Sequence, residues 1–335
     1  MIRAAIAGAA LLALAAAMPA LAQGTYAERP EVRAFIAELV ERHGFVQGEL
    51  DWLFSRVRRL EPVLRAIQPP PPERPRSWEE YRAIFVNERR IAGGVAFWSA
   101  NRKALERAQR EFGVPAQYIV AIIGVETLYG RNTGRWRIVD ALTTLAFDYP
   151  PRAAYFRDEL LNYLLLARDA GTDVFSARGS YAGAIGIPQF MPGSVRRYAV
   201  DFDGSGRIDL QKSAADAIGS VANFLKQHGW QPGGETALPV RLTGEAWRAY
   251  AEGGVEPKHA VAALLRAGVE LVGAEEPPAD ARAALVALET PGRSSEYRLG
   301  LQNFYVITRY NRSSFYAAAV ADLAHELKKT QDPGR

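Results

Sequence analysis

The chain of 335 residues has no cysteine and only four histidines. Without cysteine there can be no disulfide and no thiol nucleophile. His43, His228, His259 and His325 are scattered with no metal-ligand spacing, so neither zinc chemistry nor an imidazole cluster is legible. No phosphate-cradling glycine loop, nucleophile elbow or internal repeat is present. The formal net charge is only +4, which does not mark a nucleic-acid binder. Beyond the first two dozen residues no apolar run approaches the roughly 18 residues needed to span a bilayer.

What is present begins with an export signal. Met1–Ala22 combines a basic Arg3, an Ala- and Leu-rich stretch and the small-residue end Ala20-Leu21-Ala22, which predicts cleavage before Gln23 and an exported mature chain. The apolar stretch is close to spanning length, so an uncleaved anchor is the alternative. Apolar residues then recur at helical spacing in Glu31–His43 (Val32, Phe35, Ile36, Leu39) and in Gly48–Arg59 (Leu50, Leu53, Phe54, Val57). Proline-rich Gln68–Arg76 reads as a stiff extended connector. Ser77 with Glu80 three residues on is a capping-box signal for a helix through Phe85, followed by a longer helix to Phe112.

The segment Ala121–Arg131 places one carboxylate, Glu126, among Ile122, Ile123 and Val125. Pro115 suits the first turn of a helix and Gly130 its C-terminal cap, which puts Glu126 in the last turn, where unpaired carbonyls disfavour an anion. Both surroundings raise its pKa, and a carboxyl that is protonated near neutral pH can donate a proton to a leaving group. The competing reading is a solvated glutamate at a helix end.

Further helices are expected over Val139–Phe147, Arg152–Ala170 and Ala214–His228. The small-residue run Gly179–Gly186 lets backbone approach backbone or a ligand closely. Ser180 and Gln189 offer hydroxyl and amide groups suited to a sugar. Asp201, Asp203 and Ser205 stand at positions one, three and five of a calcium-type loop, with Gly206 at six, the Arg207 carbonyl at seven and Ile208 at eight. Lys212 stands where such loops need a glutamate, so a metal-free acidic turn is the alternative. An all-oxygen donor set with no His or Cys favours Ca²⁺ over a transition metal. From Gln231 to Gly300, Gly and Pro punctuate the β-prone runs Leu238–Leu242, Val269–Val272 and Ala284–Leu288, with one helix near Ala260–Arg266; a last helix spans Ser313–Lys328.

Glu126-Thr127-Leu128-Tyr129-Gly130-Arg131, Ala182–Pro192, the stretch Asp201–Trp230 and Asn303–Ser313 together resemble the lytic murein transglycosylase B family, over most of the chain after Ser77. The resemblance implies a mainly α (α+β) fold: a lysozyme-like helical catalytic domain, an EF-hand-like calcium loop and a small inserted β-rich subdomain. The expected layout is 1–22 signal, 23–76 N-terminal helices and connector, 77–230 catalytic region with the calcium loop at 201–216, 231–300 β-rich subdomain and 301–330 return to the catalytic domain. It also implies that Asp216 closes the calcium loop and that Tyr81, Tyr155, Phe224, Tyr310, Asn311 and Tyr316 line a sugar groove beside Ser180 and Gln189. Phe224 departs from a tyrosine frequent at its position, which removes one hydroxyl. Tyr155 also reads as a packing tyrosine. With no cysteine, the chain lacks the lipidated residue that anchors some members, and a periplasmic form with no membrane anchor after signal cleavage is expected.

Glycosidases ordinarily use two carboxylates, whereas these motifs supply one, with Asp140 and Asp148 as the next to consider. The resemblance implies an enzyme that cleaves the MurNAc–GlcNAc bond of peptidoglycan strands without water. On that resemblance Glu126 is expected to act as acid and then as base, with 1,6-anhydro-MurNAc formed and no catalytic cofactor beside a structural Ca²⁺. A hydrolytic muramidase with the same groove, or a noncatalytic peptidoglycan-binding protein, are the alternatives.

Overall fold

The structure, a computed structural model, describes residues 24–69, 77–273, 275–278 and 280–331. The leader Met1–Ala22 and nearly all of the proline-rich connector lie outside the described residues. By its internal contacts the chain divides into two compact units, Met1–Val57 and Arg58–Arg335. In the first, α1 (Pro30–His43) and α2 (Gln47–Arg56) pack together with Phe35 edge-on to Phe54 at 6.3 Å, and the buried residues are those of the two predicted apolar stripes.

The second unit is built around α7 (Ala116–Thr127). Its sequence is apolar on every side, which suits a helix enclosed on all faces, and nine of its twelve residues are buried. Around it lie α5 (Glu88–Ala100), α6 (Arg102–Phe112), α11 (Ala214–Gln227) and α15 (Ser314–Gln331), the last making the largest contact. The longer helix expected before Phe112 is in fact two, α5 and α6. Asn101 separates them because its side-chain amide donates to the Phe97 carbonyl at 2.8 Å and offers the backbone an alternative to continued helix. Before them, α3 (Glu61–Ala66) packs on α8 (Ile138–Asp148), and α4 (Trp78–Phe85) begins at Ser77, whose hydroxyl accepts from the Glu80 N–H as the capping signal predicts. A second layer chains α8 to α9 (Ala153–Asp169), α9 to α10 (Pro192–Tyr198) and α10 to α11. The two-residue strands β1 (Trp136–Arg137) and β2 (Arg178–Gly179) pair antiparallel beside them.

The β-rich segment forms a five-stranded antiparallel sheet in the order β4-β6-β7-β3-β5. Its strands are β3 (Ala237–Leu242), β4 (His259–Ala260), β5 (Val269–Leu271), β6 (Arg282–Leu288) and β7 (Glu296–Gly300). Two short helices, α12 (Arg248–Ala251) and α13 (Val261–Arg266), lie between strands, and β7 leads into α14 (Gln302–Tyr310). The sheet is stitched into the helical body through β6. Its Ala283 and Leu285 join the sheet's own core with Leu238, Val261 and Leu299, while Ala284, Val286 and Leu288 join the core around α7. A strand covered on both faces needs no polar alternation, and none is present in Ala-Ala-Leu-Val-Ala-Leu. No helix among the described residues is long and apolar enough to cross a membrane.

Candidate active site

Glu126 is the penultimate residue of α7 and retains a partly exposed edge. Tyr316 of α15, 2% exposed, donates its hydroxyl to Glu126 Oε1 at 2.6 Å. Burial raises the Glu126 pKa to about 7 and outweighs the Tyr316 hydrogen bond, which lowers it. Tyr310 stacks on Tyr316, with ring centres 6.4 Å apart, and donates to the Pro188 carbonyl at 2.5 Å. Burial, reinforced by the nearby Glu126 charge, holds both tyrosine hydroxyls protonated, so each remains a donor.

The helix does not stop at Gly130, and Pro115 precedes its first turn instead of occupying it: Pro115 is the N-cap and Leu128 the C-cap. Leu128, Tyr129 and Gly130 follow with φ of 50°, 63° and 82°. Left-handed conformations at non-glycine residues cost of order 1–3 kcal/mol and persist where surroundings over-determine them. Here the ring of Tyr129 occupies a cradle of glycines: a Cβ added at Gly124 would lie 2.6 Å from it, and one at Gly93 2.9 Å. Its hydroxyl donates to the Arg90 carbonyl at 2.8 Å, and Arg90 in turn donates to the Gly124 carbonyl. Thr127, fully enclosed, donates to the Ile187 carbonyl at 2.8 Å and accepts from the Gly130 N–H at 2.9 Å. Tyr129, Thr127 and Arg90 hold the turn after Glu126; Thr127 and Tyr129 stand in the motif that carries the resemblance, but the sequence assigned none of the three a role. A signal of their packing was Gly93-Gly94 and Gly124 inside helices, where glycine is costly unless something needs the space.

The segment after β2 turns back on itself through Gly179, Ile185 and Phe190, which pair as isolated bridges. Ser180 Oγ accepts from the Ala182 and Ala184 amides at 3.2 and 3.0 Å, leaving its proton to donate. Gln189, at φ 53°, spends its amide nitrogen on the Thr133 and Gly186 carbonyls, leaving Oε1 as an acceptor. Tyr81 packs edge-on to Phe315 at 5.7 Å, next to Tyr316, and Asn311 follows Tyr310 on the surface.

Two of the expected groove residues, Phe224 and Tyr316, are buried. Phe224 is 5% exposed, stacked on His228 at 4.0 Å and covered by Phe190, Tyr198 and Tyr310. Tyr316 reaches Glu126 and not the surface. Tyr155 is 38% exposed, with its ring against Phe156 and beneath Arg152. The spare carboxylates are engaged: Asp140 is held by Arg137 at 2.7 and 3.0 Å and by the Arg58 amide, and Asp148 lies 3.5 Å from Arg59. Glu159, buried by α9 with its pKa raised, accepts from the Gly193 N–H at 2.7 Å at the start of α10.

In the acidic loop, Asp201, Asp203 and Asp216 bring one oxygen each within 4.8 Å of one another. Asp216, fully buried at the start of α11, accepts from the amides of Phe202, Asp203 and Asp209 and so ties both ends of the loop together. Asp201 accepts from Gly204, Ser205 and Gly206, and Ser205 Oγ lies 3.1 Å from the Arg207 carbonyl. Hydroxyl and backbone hydrogen bonds hold the Asp203 carboxyl below its ordinary pKa, as an ionised ligand requires. The donor set, carboxylates with a hydroxyl and a carbonyl, fits a hard cation.

The transglycosylase SLT domain family matches residues 27–325. The chain is 42% identical over 312 residues to the membrane-bound lytic murein transglycosylase B of Escherichia coli (strain K12), covering 91% of this chain and 84% of that protein. Among solved structures it is similar to the soluble lytic transglycosylase SltB1 from Pseudomonas aeruginosa, with 46% identity, 90% of this chain, 99% of the other and a TM-score of 0.84. The lytic transglycosylase Slt35 of Escherichia coli in complex with calcium superposes with a TM-score of 0.82 at 41% identity, covering 92% of this chain and 96% of that one. A lysozyme-like helical fold with a small antiparallel sheet, matched at this identity along almost the full length of its relatives, places the chain in the lytic murein transglycosylase B family, as a peptidoglycan lytic transglycosylase.

Proposed function

We propose that Glu126 carries both proton transfers of this reaction. As the neutral acid it protonates the oxygen bridging MurNAc and GlcNAc, and the bond from MurNAc C1 to that oxygen breaks. The resulting carboxylate then takes the proton of the MurNAc 6-hydroxyl as that oxygen bonds to C1, which regenerates the acid and closes the 1,6-anhydro ring with no water consumed. The observation that carries the reading is a partly exposed carboxyl with a pKa near 7, one of whose oxygens is held by Tyr316 while the other has no partner among the described residues. Such a group has comparable access to both protonation states at neutral pH.

Tyr81, Ser180, Gln189, Tyr310 and Asn311 are assigned to the glycan strand: aromatic faces for sugar rings, and the free Ser180 proton and Gln189 Oε1 for hydroxyl and N-acetyl groups. Phe224 supports Tyr310 from behind, and Tyr316 orients Glu126. Asp201, Asp203, Ser205, the Arg207 carbonyl and Asp216 are assigned to a structural Ca²⁺, which would supply charge neutralisation to the loop and no step of the chemistry. Export through the Met1–Ala22 leader to a periplasmic location fits this substrate. Mass analysis of products released from purified sacculi tests the reading: anhydro-ended muropeptides are expected, reducing ends would indicate hydrolysis, and no release would indicate a binding protein.

A further inference from the structure

Outside the site, four guanidinium groups converge. Arg58, Arg135, Arg137 and Arg178 line a pocket of about 350 Å³ together with Trp136 and Asp140. Asp140 is the one acid there and is already spent, gripped through both oxygens by Arg137 and by the Arg58 amide. Arg135 lies 5.0 Å over the Trp136 ring, and Arg178 donates to the Arg135 carbonyl at 3.1 Å, which positions both side chains. Neither of these guanidiniums, nor that of Arg58, has an acidic partner among the described residues. Like charges gathered without counter-charge repel one another, and an anion entering the pocket removes that cost while gaining paired N–H donors. Guanidinium groups in this arrangement suit the planar fork of a carboxylate.

Placement identifies the anion. The pocket is carried by β1 and β2, in which Trp136 pairs with Gly179 and Arg137 with Arg178. Two residues beyond Arg178 is Ser180, and two residues before Arg135 is Thr133, whose carbonyl accepts from Gln189. At about 3.3 Å per extended residue, both strands reach the proposed sugar-holding groups within roughly 7 Å of backbone. A glycan strand held at Ser180 and Gln189 carries on each MurNAc a peptide with free carboxylates, on a side arm of that reach. We propose that the Arg58–Arg135–Arg178 pocket binds a carboxylate of the peptide stem and makes the enzyme prefer stem-bearing strands. The proposal rests on the transglycosylase reading of the substrate.

The test uses the full chain with Arg135→Gln and Arg178→Gln combined, both exposed positions that leave the cores untouched. Initial rates are compared on stem-bearing glycan strands and on strands stripped of peptides by an amidase. Two partly exposed charged contacts predict a KM raised about tenfold on stem-bearing strands, with kcat unchanged and stripped strands unaffected. Replacing the same pair by lysine restores part of the affinity, since charge returns without the fork. An equal change on both substrates, or no change on either, overturns the proposal. Should the parent chain release no anhydro products, the reaction reading fails instead, and co-sedimentation with the two strand preparations still decides the pocket: binding must favour stem-bearing strands in the parent and lose that preference in the double glutamine variant.

Discussion

The hydroxyl of Tyr316 donates to Oε1 of Glu126 across 2.6 Å, although 190 positions separate the two residues. The contact stabilises the carboxylate against burial, which pulls the other way and dominates. Replacing Tyr316 by Phe removes only the stabilising part, so the Glu126 pKa rises further. The alkaline limb of kcat/KM, expected near pH 7 in the parent, should move to higher pH, with a lower plateau because the acid is less well oriented. A limb that remains in place or moves down would show that Tyr316 does not govern this proton.

Glu126→Gln keeps the shape and the Tyr316 contact but removes the transferable proton. General acid–base catalysis is worth roughly 10²–10⁴-fold, and one group serving two transfers should lie at or above the upper end. Strand binding should persist. Release of anhydro-muropeptides within about tenfold of the parent rate, below the smallest such contribution, would remove Glu126 from the mechanism.

The same variant should change stability with a definite sign. The folded pKa of about 7 lies above the ordinary glutamate value of 4.5, so the folded state holds the proton more tightly. That contribution is complete below pH 4.5 and is lost as pH rises through about 7. At pH 8 the parent bears a buried charge that Glu126→Gln lacks, and the variant should be the more stable by at most about 3 kcal/mol, less because Glu126 is partly exposed. Urea midpoints at pH 5 and pH 8 check this, and a gap that does not widen with pH contradicts it.

Calcium should raise the melting temperature of the parent and a chelator should lower it, since a ligand at about 100 times its Kd stabilises the folded state by about 2.7 kcal/mol. Asp203→Ala removes an exposed ligand without touching buried Asp216, so the calcium response should vanish while the fold persists. Identical melting of the parent with and without calcium would dismiss the site.

Gly179 sits where a Cβ would lie 2.1 Å from the Ala184 carbonyl oxygen, and a Cβ at Gly134 would lie equally close to the Gly179 backbone. Gly179→Ala must displace the Ser180 turn, at a cost of about 1–3 kcal/mol in stability and a larger proportional loss of activity. Unchanged kinetics in this variant would show that the turn does not position substrate.

Much of this was legible along the chain. The two stripes read in Glu31–His43 and Gly48–Arg59, the Ser77 cap and the apolar helix with Glu126 in its last turn rest on residues within one or two turns of each other. β7 was not legible as a strand, because Glu296–Gly300 mixes charge and glycine and is fixed by pairing with β6 and β3. Asn101 reads as one polar residue in a long helical pattern, and only its side-chain bond to Phe97 reveals a break.

Local chemistry therefore singled out Glu126 as a candidate acid and Asp201, Asp203 and Ser205 as candidate calcium ligands, since apolar neighbours and oxygen spacing are properties of adjacent positions. Tertiary structure alone decided that Tyr316 meets Glu126, that Phe224 is buried against Tyr310, that Tyr129 needs Gly93 and Gly124, and that four arginines from distant segments share one pocket. The physical reason is that a hydrogen bond, a steric cradle or a gathered charge depends on distance in space, and helices packed around α7 bring together residues that no spacing along the chain relates.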